Sequence, residues 1–283
     1  MGTAAKRSAS SRPLRTLRVV AGDEPRSYSR TLRAMHQGEF RNPRLVAVYD
    51  AECPWSREDD FFLSIVNERP ASRVLDLGCG SGRLALGMAE AGHRVTGVDP
   101  ARASLDAARV KPGAERVRWI EGTSADLSPA ELDAAVMTSH VAQLFVDDAD
   151  WSRVLRDLSR ALVPGGRLAF DARDPSARAW ERWNPVDSRR RVSLGRGDNV
   201  EIWTDVTHVA GDVVLFTHHY VFADGERLAS TAALRFRSER DIRSSLAAAG
   251  FLIEHIYGGW KREPVGAGDG ELLILARSGA TRA

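Results

Sequence analysis

Val74-Leu75-Asp76-Leu77-Gly78-Cys79-Gly80-Ser81-Gly82 decides how this chain is read, together with Val95-Thr96-Gly97-Val98-Asp99 shortly after it. The first stretch is an apolar run that ends in a glycine-dense turn. The second is an apolar run that ends in a lone carboxylate. Between them, Arg83 to Ala91 predicts a short helix, with Leu84, Leu86 and Met88 supplying apolar surface and Gly92 a stop signal. Strand, glycine turn, helix, strand, acid is the layout that a nucleoside ligand needs. Glycines let the backbone approach the ligand, and an acid about 20 residues on accepts hydrogen bonds from ribose hydroxyls. A glycine-rich strand end taken alone is as often a plain turn. Asp99 before Pro100 also suits a helix N-cap. Both uses of Asp99 can hold, because they engage different carboxylate oxygens.

The glycine spacing separates two kinds of nucleoside ligand. A dinucleotide site wants G-x-G-x-x-G, so that a pyrophosphate sits on the helix N-terminus. Gly78, Gly80 and Gly82 instead form G-x-G-x-G, and no G-x-x-x-x-G-K-[ST] loop occurs in the chain. Asp76, just ahead of the turn, suits a cationic ligand better than a pyrophosphate. S-adenosylmethionine (SAM) carries a sulfonium and an ammonium.

On these residues the chain resembles the class I SAM-dependent methyltransferases. Further pieces match in order. Ile120 to Asp126 resembles the adenine-side loop, and Leu132 to His140 the fourth strand with its active-site end. Leu162 to Asp171 resembles the Pro-Gly-Gly turn into the fifth strand, and Ala249-Gly250-Phe251 the lead into the sixth. The likeness covers about Val74 to Asp171 and Phe251 to Ala276. It implies a Rossmann-like α/β fold with a seven-stranded, mostly parallel sheet and helices on both faces. It also implies an N-terminal helical lid, SAM as cofactor, and cofactor contacts from Asp76, Gly78, Gly80, Gly82, Asp99, Pro100, Thr123, Ser124, Ala125, Thr138 and Tyr49. One departure stands in the adenine loop: Thr123 occupies the slot where the family has an acid, and the next acid is Asp126. Either the threonine hydroxyl accepts the adenine hydrogen bond or Asp126 reaches in.

Composition bounds the rest. The chain has 283 residues, 43% hydrophobic and 28% charged, with a net charge of +2. That is ordinary for a globular protein, and the charge neither demands nor forbids any partner. No apolar run is long enough to span a bilayer, and the basic N-terminus lacks the apolar stretch of a secretory signal. Two cysteines, Cys53 and Cys79, provide neither a disulfide framework nor zinc spacing. The expected location is the cytoplasm. Residues 1–13 read as a disordered tail, 14–70 as the helical lid, 71–173 as the SAM-binding core, 174–237 as an inserted antiparallel lid, and 238–283 as the remainder of the core. The segment from Arg15 to Arg44 carries Arg18, Arg26, Arg30, Arg33, Arg41 and Arg44. It is either a solvated helical face, the favoured reading, or a nucleic-acid arm.

The inserted segment alternates in the manner of strands at Val200 to Trp203, Val213 to Phe222 and Thr231 to Phe236, with turns at Gly211-Asp212 and Asp224-Gly225. This antiparallel ribbon lies above the carboxyl ends of the strands, where ligands bind in such sheets. Methyl transfer from a sulfonium is an in-line displacement that needs alignment and exclusion of water. A base is needed only if the acceptor must lose a proton. His140, directly after the fourth strand, is the candidate base, with substrate orientation or hydrogen bonding within the sheet end as its alternatives. Asp171 and Arg173 either bind a polar acceptor or pair with each other. Trp55, Trp180, Trp183, His218 and Tyr220 complete the substrate candidates; core packing is the default for Trp180 and Trp183, a structural role is the usual one for His218, and packing of the lid onto the core is the equal alternative for Trp55. His218 and His219 lie on opposite strand faces. The acids Asp147, Asp148 and Asp150 fit a helix N-terminus better than a metal. Metal-dependent members of the fold place an acid where Thr138-Ser139-His140 stands, so no metal is expected.

The function expected is methyl transfer to a small aromatic or amine-bearing metabolite, as in natural-product tailoring. The alternative is an RNA or protein methyltransferase using the arginine-rich segment. Thr138-Ser139-His140-Val141 lacks the [DN]-P-P-[FYW] of base-modifying members. A non-catalytic SAM-binding protein is the third class. A homodimer is left open, and no membrane association is expected.

Overall fold

The computed structural model describes residues 38–195 and 197–279. The expected tail at 1–13 and the lid residues before 38 lie outside them, as do Arg18, Arg26, Arg30 and Arg33.

Two short helices open the described chain, α1 (Gly38–Arg41) and α2 (Pro43–Glu52), followed by α3 (Arg57–Asn67). The first half of the core is β1 (Arg73–Leu77), α4 (Arg83–Glu90), β2 (Arg94–Asp99), α5 (Arg102–Arg109) and β3 (Val117–Glu121). The second half is β4 (Leu132–Met137), α6 (Val141–Leu144), α7 (Asp148–Ala161) and β5 (Leu162–Arg173). An antiparallel sheet follows: β6 (Arg190–Gly195), β7 (Asp198–Ala210), β8 (Val213–Phe222) and β9 (Arg227–Arg235). The chain then returns to the core as α8 (Glu239–Ala248), β10 (Phe251–Tyr257) and β11 (Glu271–Ser278).

The large sheet has the order β10-β11-β5-β4-β1-β2-β3. Its strands run parallel except at β11, which pairs antiparallel with both β5 and β10. Its central strands are apolar on both sides because helices cover both faces. On one face Leu75, Met137 and Phe170 pack with Trp151, Leu155 and Leu158 of α7 and Leu246 of α8. On the other, Val74, Val136 and Ala169 pack with Phe62 and Ile65 of α3 and Leu84 and Met88 of α4. Alternate residues of one strand thus serve opposite cores. The acids before α7 act as its cap: the Asp147 side chain accepts from Ala149 N, and Asp148 pairs with Arg235 at 2.8 Å.

The ribbon has four strands rather than the three its sequence pattern suggests. β6 was hidden because Arg-Arg-Val-Ser-Leu-Gly carries too few apolar residues to mark a strand on its own. Its pairing with β7 supplies the order. The ribbon buries Val200, Ile202, Tyr220 and Phe222 against Leu45 and Val48 of α2. Farther along, Phe216, Leu234 and Phe236 pack with Leu144 of α6 and with Trp180 and Trp183. Both contacts bring the ribbon over the carboxyl ends of the parallel strands.

Arg83 ties the lid helices to the core. Its Nε pairs with Asp59 Oδ1 at 2.9 Å, and Asp59 is only 1% exposed. Its Nη1 donates to the carbonyls of Cys53 and Pro54 at 2.8 and 3.0 Å, and Nη2 donates to Ser139 Oγ at 3.3 Å. Removing the guanidinium would leave a buried carboxylate without its cation. Arg83→Leu should therefore lower the unfolding free energy by on the order of 3 kcal/mol in urea titrations. A loss of under about 1 kcal/mol would mean that Asp59 does not depend on this partner.

Candidate active site

At the carboxyl ends of β1, β2 and β4 lies a cavity of about 280 Å³, roofed by Phe40 and Tyr49 from the lid. Its floor is the turn between β1 and α4. Gly78 N donates to Val98 O at 2.8 Å, which carries the pairing of β1 and β2 into the turn. Gly78 has φ +78, and a Cβ there would sit 2.6 Å from Val141 Cγ2. Gly80 faces open space, and its N–H donates to Asp99 Oδ2 at 2.8 Å. Gly82 is not in the wall. With φ +84 and a Cβ position 2.4 Å from Trp119 Cη2, it is required by packing under Trp119, not by approach to a ligand.

Two buried acids stand on this floor. Asp99 Oδ1 accepts from Ala101 N at 2.7 Å while Oδ2 holds Gly80 N, so each oxygen carries one backbone bond and keeps one free lone pair. Burial raises its carboxyl despite those bonds. Asp76 is 2% exposed, and its Oδ1 has no hydrogen-bond partner. Burial, and then the Asp99 charge, push it up to about 7. A carboxylate shut away with an unsatisfied oxygen in a ligand cavity fits a cationic donor group such as the SAM ammonium.

Pro100, Thr123, Ser124 and Thr138 also line the cavity. Ala125 does not; its N–H donates to Thr123 Oγ1 at 3.3 Å. Asp126 turns back to accept from Thr123 N at 2.8 Å, so it closes its own turn. Asp50 of α2 was not singled out by sequence, yet it lines the cavity and bonds Ser81 Oγ and, at 2.8 Å, Lys111 Nζ.

A second polar group lies beside the cavity at the ends of β4 and β5 and the start of β11. Ser139 and His140 both adopt left-handed backbone, φ 56 and 64, a strained geometry that clusters at functional sites. Ser139 N and Oγ both donate to Glu58 Oε1, at 2.8 and 3.1 Å. His140 N donates to Asp171 Oδ2 at 3.0 Å, and Nε2 lies 3.0 Å from Glu271 Oε2 and 3.3 Å from Asp171 Oδ2. His140 is not in the cavity wall; its imidazole is committed to the two acids. Burial, and next Arg173, hold it below the usual histidine range. Burial raises Asp171, which is fully enclosed and leaves Oδ1 unpartnered. Burial also raises Glu271, to about 8. Arg173 bonds Gln143 Oε1 at 3.1 Å rather than Asp171. Ligating atoms of His140, Asp171 and Glu271 lie within 4.8 Å of one another, a spacing that a metal could share, although the Arg173 charge beside them opposes one.

The remaining candidates divide. His218 and Tyr220 project from one ribbon face toward the lid. Tyr220 Oη donates to Glu39 Oε2 at 3.4 Å, His218 Nε2 is 3.6 Å from the same oxygen, and Nδ1 meets Thr204 Oγ1 at 2.8 Å. Glu39 was missed by sequence; burial lifts it to about 7. His219, on the opposite face, stacks on Trp203. The tryptophans do not close on a ligand. Trp180 packs edge-on to Phe236 at 4.5 Å, and Trp183 to Phe216 at 5.1 Å, inside the ribbon's own apolar cluster. Trp55 lies outside the cavity against Gly87, with Nε1 donating to Asp60.

Comparison with known proteins agrees with this geometry. Residues 74–166 match the methyltransferase domain family. A cypemycin N-terminal methyltransferase from Streptomyces is 30% identical over 203 residues, 71% of this chain and 81% of that protein. The chain belongs to the class I SAM-dependent methyltransferases and is an enzyme of that kind, with SAM as its cofactor. Its fold is shared with a sugar N-methyltransferase from Streptoalloteichus (TM-score 0.64, 21% identity, 96% of this chain and 100% of that one). It is shared also with the SAM-bound amino pentose methyltransferase from Micromonospora echinaspora (TM-score 0.62, 23% identity, 82% and 95%). No described helix is long and apolar enough to cross a membrane.

The raised acids fix a stability trend. Above about pH 6.5, the ordinary histidine value, the lowered His140 and His218 are neutral in the folded chain and less than half protonated in the unfolded one, so they oppose the acids only weakly. From there to about 8 the folded chain keeps protons on Asp76, Glu39, Asp171 and Glu271 that the unfolded chain has lost. Unfolding free energy then falls as pH rises. Calorimetric Tm of the ligand-free protein should drop between these two pH values; a rise would contradict the burial of these groups.

Proposed function

We propose that this enzyme methylates a small amine-bearing metabolite bound between the ends of β4, β5 and β11 and the ribbon. One observation carries the choice of amine over aromatic acceptor. Glu58, Asp171 and Glu271 meet Ser139 and His140 at these strand ends, and Glu39 meets Tyr220 and His218 of the ribbon, whereas Trp180 and Trp183 pack on Phe236 and Phe216, with Trp183 also under Arg173. An ammonium would find several carboxyl partners there. The names of the similar proteins, an N-terminal methyltransferase and methyltransferases of amino sugars, point the same way.

In this reading Asp76, Gly78 and Gly80 receive the methionine end of SAM, with Thr138 and Tyr49 beside it. Asp99 and Pro100 take the ribose, and Thr123 and Ser124 flank the adenine. When bound, SAM supplies a methyl group on a positively charged sulfur. The chain's own residues orient the acceptor nitrogen and exclude water. Asp171, Arg173, His218 and Tyr220 hold the acceptor, and His140 keeps Asp171 and Glu271 in place.

Asp99→Ala removes charge-assisted bonds worth about 1.5–3 kcal/mol and frees Gly80 N, so SAM affinity measured by calorimetry should fall by roughly 10- to 100-fold. Unchanged affinity would exclude the ribose role. Isotope-labelled SAM incubated with a metabolite extract, an RNA pool and a protein fraction should label the metabolites. Label confined to RNA or protein would refute the small-acceptor reading.

A further inference from the structure

We propose that Asp171 and Glu271 receive the acceptor as its ammonium ion and that Glu271 takes the proton which must leave before nitrogen can attack. This rests on the amine reading above. Three carboxyl groups converge here, Glu58, Asp171 and Glu271, faced by Arg173 and, through Ser139 Oγ, by Arg83, which is shared with Asp59. Arg57 and Asp269, at the rim, pair with each other at 3.0 Å. With His140 neutral, burial keeps protons on Asp171 and Glu271, and an entering cation would replace those protons as the partner of the carboxylates. A fully enclosed carboxylate with an unsatisfied oxygen, Asp171 Oδ1, lies within the cluster. Such a group calls for an N–H donor carrying charge.

An ammonium cannot attack carbon, because its lone pair is held in an N–H bond. A site that binds the ammonium must therefore also remove a proton. The N–H bond breaks, its electron pair stays on nitrogen as the nucleophile, and the proton forms an O–H bond on a carboxylate oxygen. His140 is poorly suited to this, since burial and Arg173 hold it below the usual range. Glu271 is suited on two counts. Burial brings it to about 8, closer to an amine than any ordinary carboxylate. Its side chain is 15% exposed while that of Asp171 is fully enclosed, so Glu271 can pass the proton to water.

The test uses the full chain and labelled SAM with a metabolite extract, untreated or pretreated with an amine-selective acetylating reagent. Labelling should be lost after acetylation; label that survives it overturns the proposal and leaves the small-metabolite reading intact. No labelling of any metabolite would sink both. With the labelled metabolite purified as substrate, Glu271→Gln should lower kcat/KM at pH 7 by about 100-fold. The loss should shrink toward pH 10, where the free amine forms in solution. SAM affinity by calorimetry should stay within twofold. Glu271→Asp, which keeps the carboxylate, should retain most of the activity at pH 7. A wild-type pH profile in Glu271→Gln would overturn the proposal. If that variant does not fold, a wild-type pH profile in Glu271→Ala would do so. Activity abolished by EDTA and restored by zinc would assign the cluster to a metal and overturn it as well.

Discussion

Burial of carboxylates at the ends of parallel strands is the constraint on which this structure turns. Asp76 in β1, Asp99 at the end of β2 and Asp171 in β5 are all less than 9% exposed. Shutting a carboxylate away from water is costly unless donors or cations replace the solvent. Asp99 has two backbone donors, Asp171 has His140, and Asp76 and Asp171 each keep an oxygen with no partner. The strand ends are therefore held at a free-energy cost that a stable fold alone would not select. A ligand carrying positive charge offsets it, and SAM is such a ligand. The acceptor side repeats the logic with a second set of acids.

The lid and the ribbon make this burial possible. α2 and α3 are tied to the glycine turn through Arg83 and Asp59, and Asp50 bonds Ser81 and Lys111 across the cavity edge. Arg83 also reaches Ser139, so one guanidinium links the lid, the first helix of the core and the bend after β4. The ribbon in turn packs on α2 at one end and on α6 at the other. The strand ends are thus covered by elements from two parts of the chain, the lid and the ribbon. Excluding water strengthens every charge interaction within.

The core was legible because its signals are local. The strand, turn, helix and second strand that carry Asp76, Gly78, Gly80 and Asp99 are contiguous, and their spacing follows from the geometry of one βαβ unit. Gly82 belonged to the same pattern, but its task could not be read, because Trp119, which demands it, comes from β3. Trp180 and Trp183, three apart, could pack in the core or close on a ligand, and spacing alone left core packing the default without naming a partner. Their partners, Phe216 and Phe236, lie in the ribbon and claim them.

The acceptor side was only half visible. Thr138, His140, Asp171 and Arg173 could be picked out because they follow strand ends. Glu58, Glu271 and Glu39 could not, since they meet Ser139, His140 and Tyr220 across 81, 131 and 181 residues of chain. The amino-acid sequence by itself determined the sheet and the nucleoside cradle, because short-range periodicity and turn chemistry specify them. Tertiary structure alone decided which acids share one enclosure and which aromatic rings are already occupied, because those outcomes depend on contacts between segments that no spacing along the chain encodes.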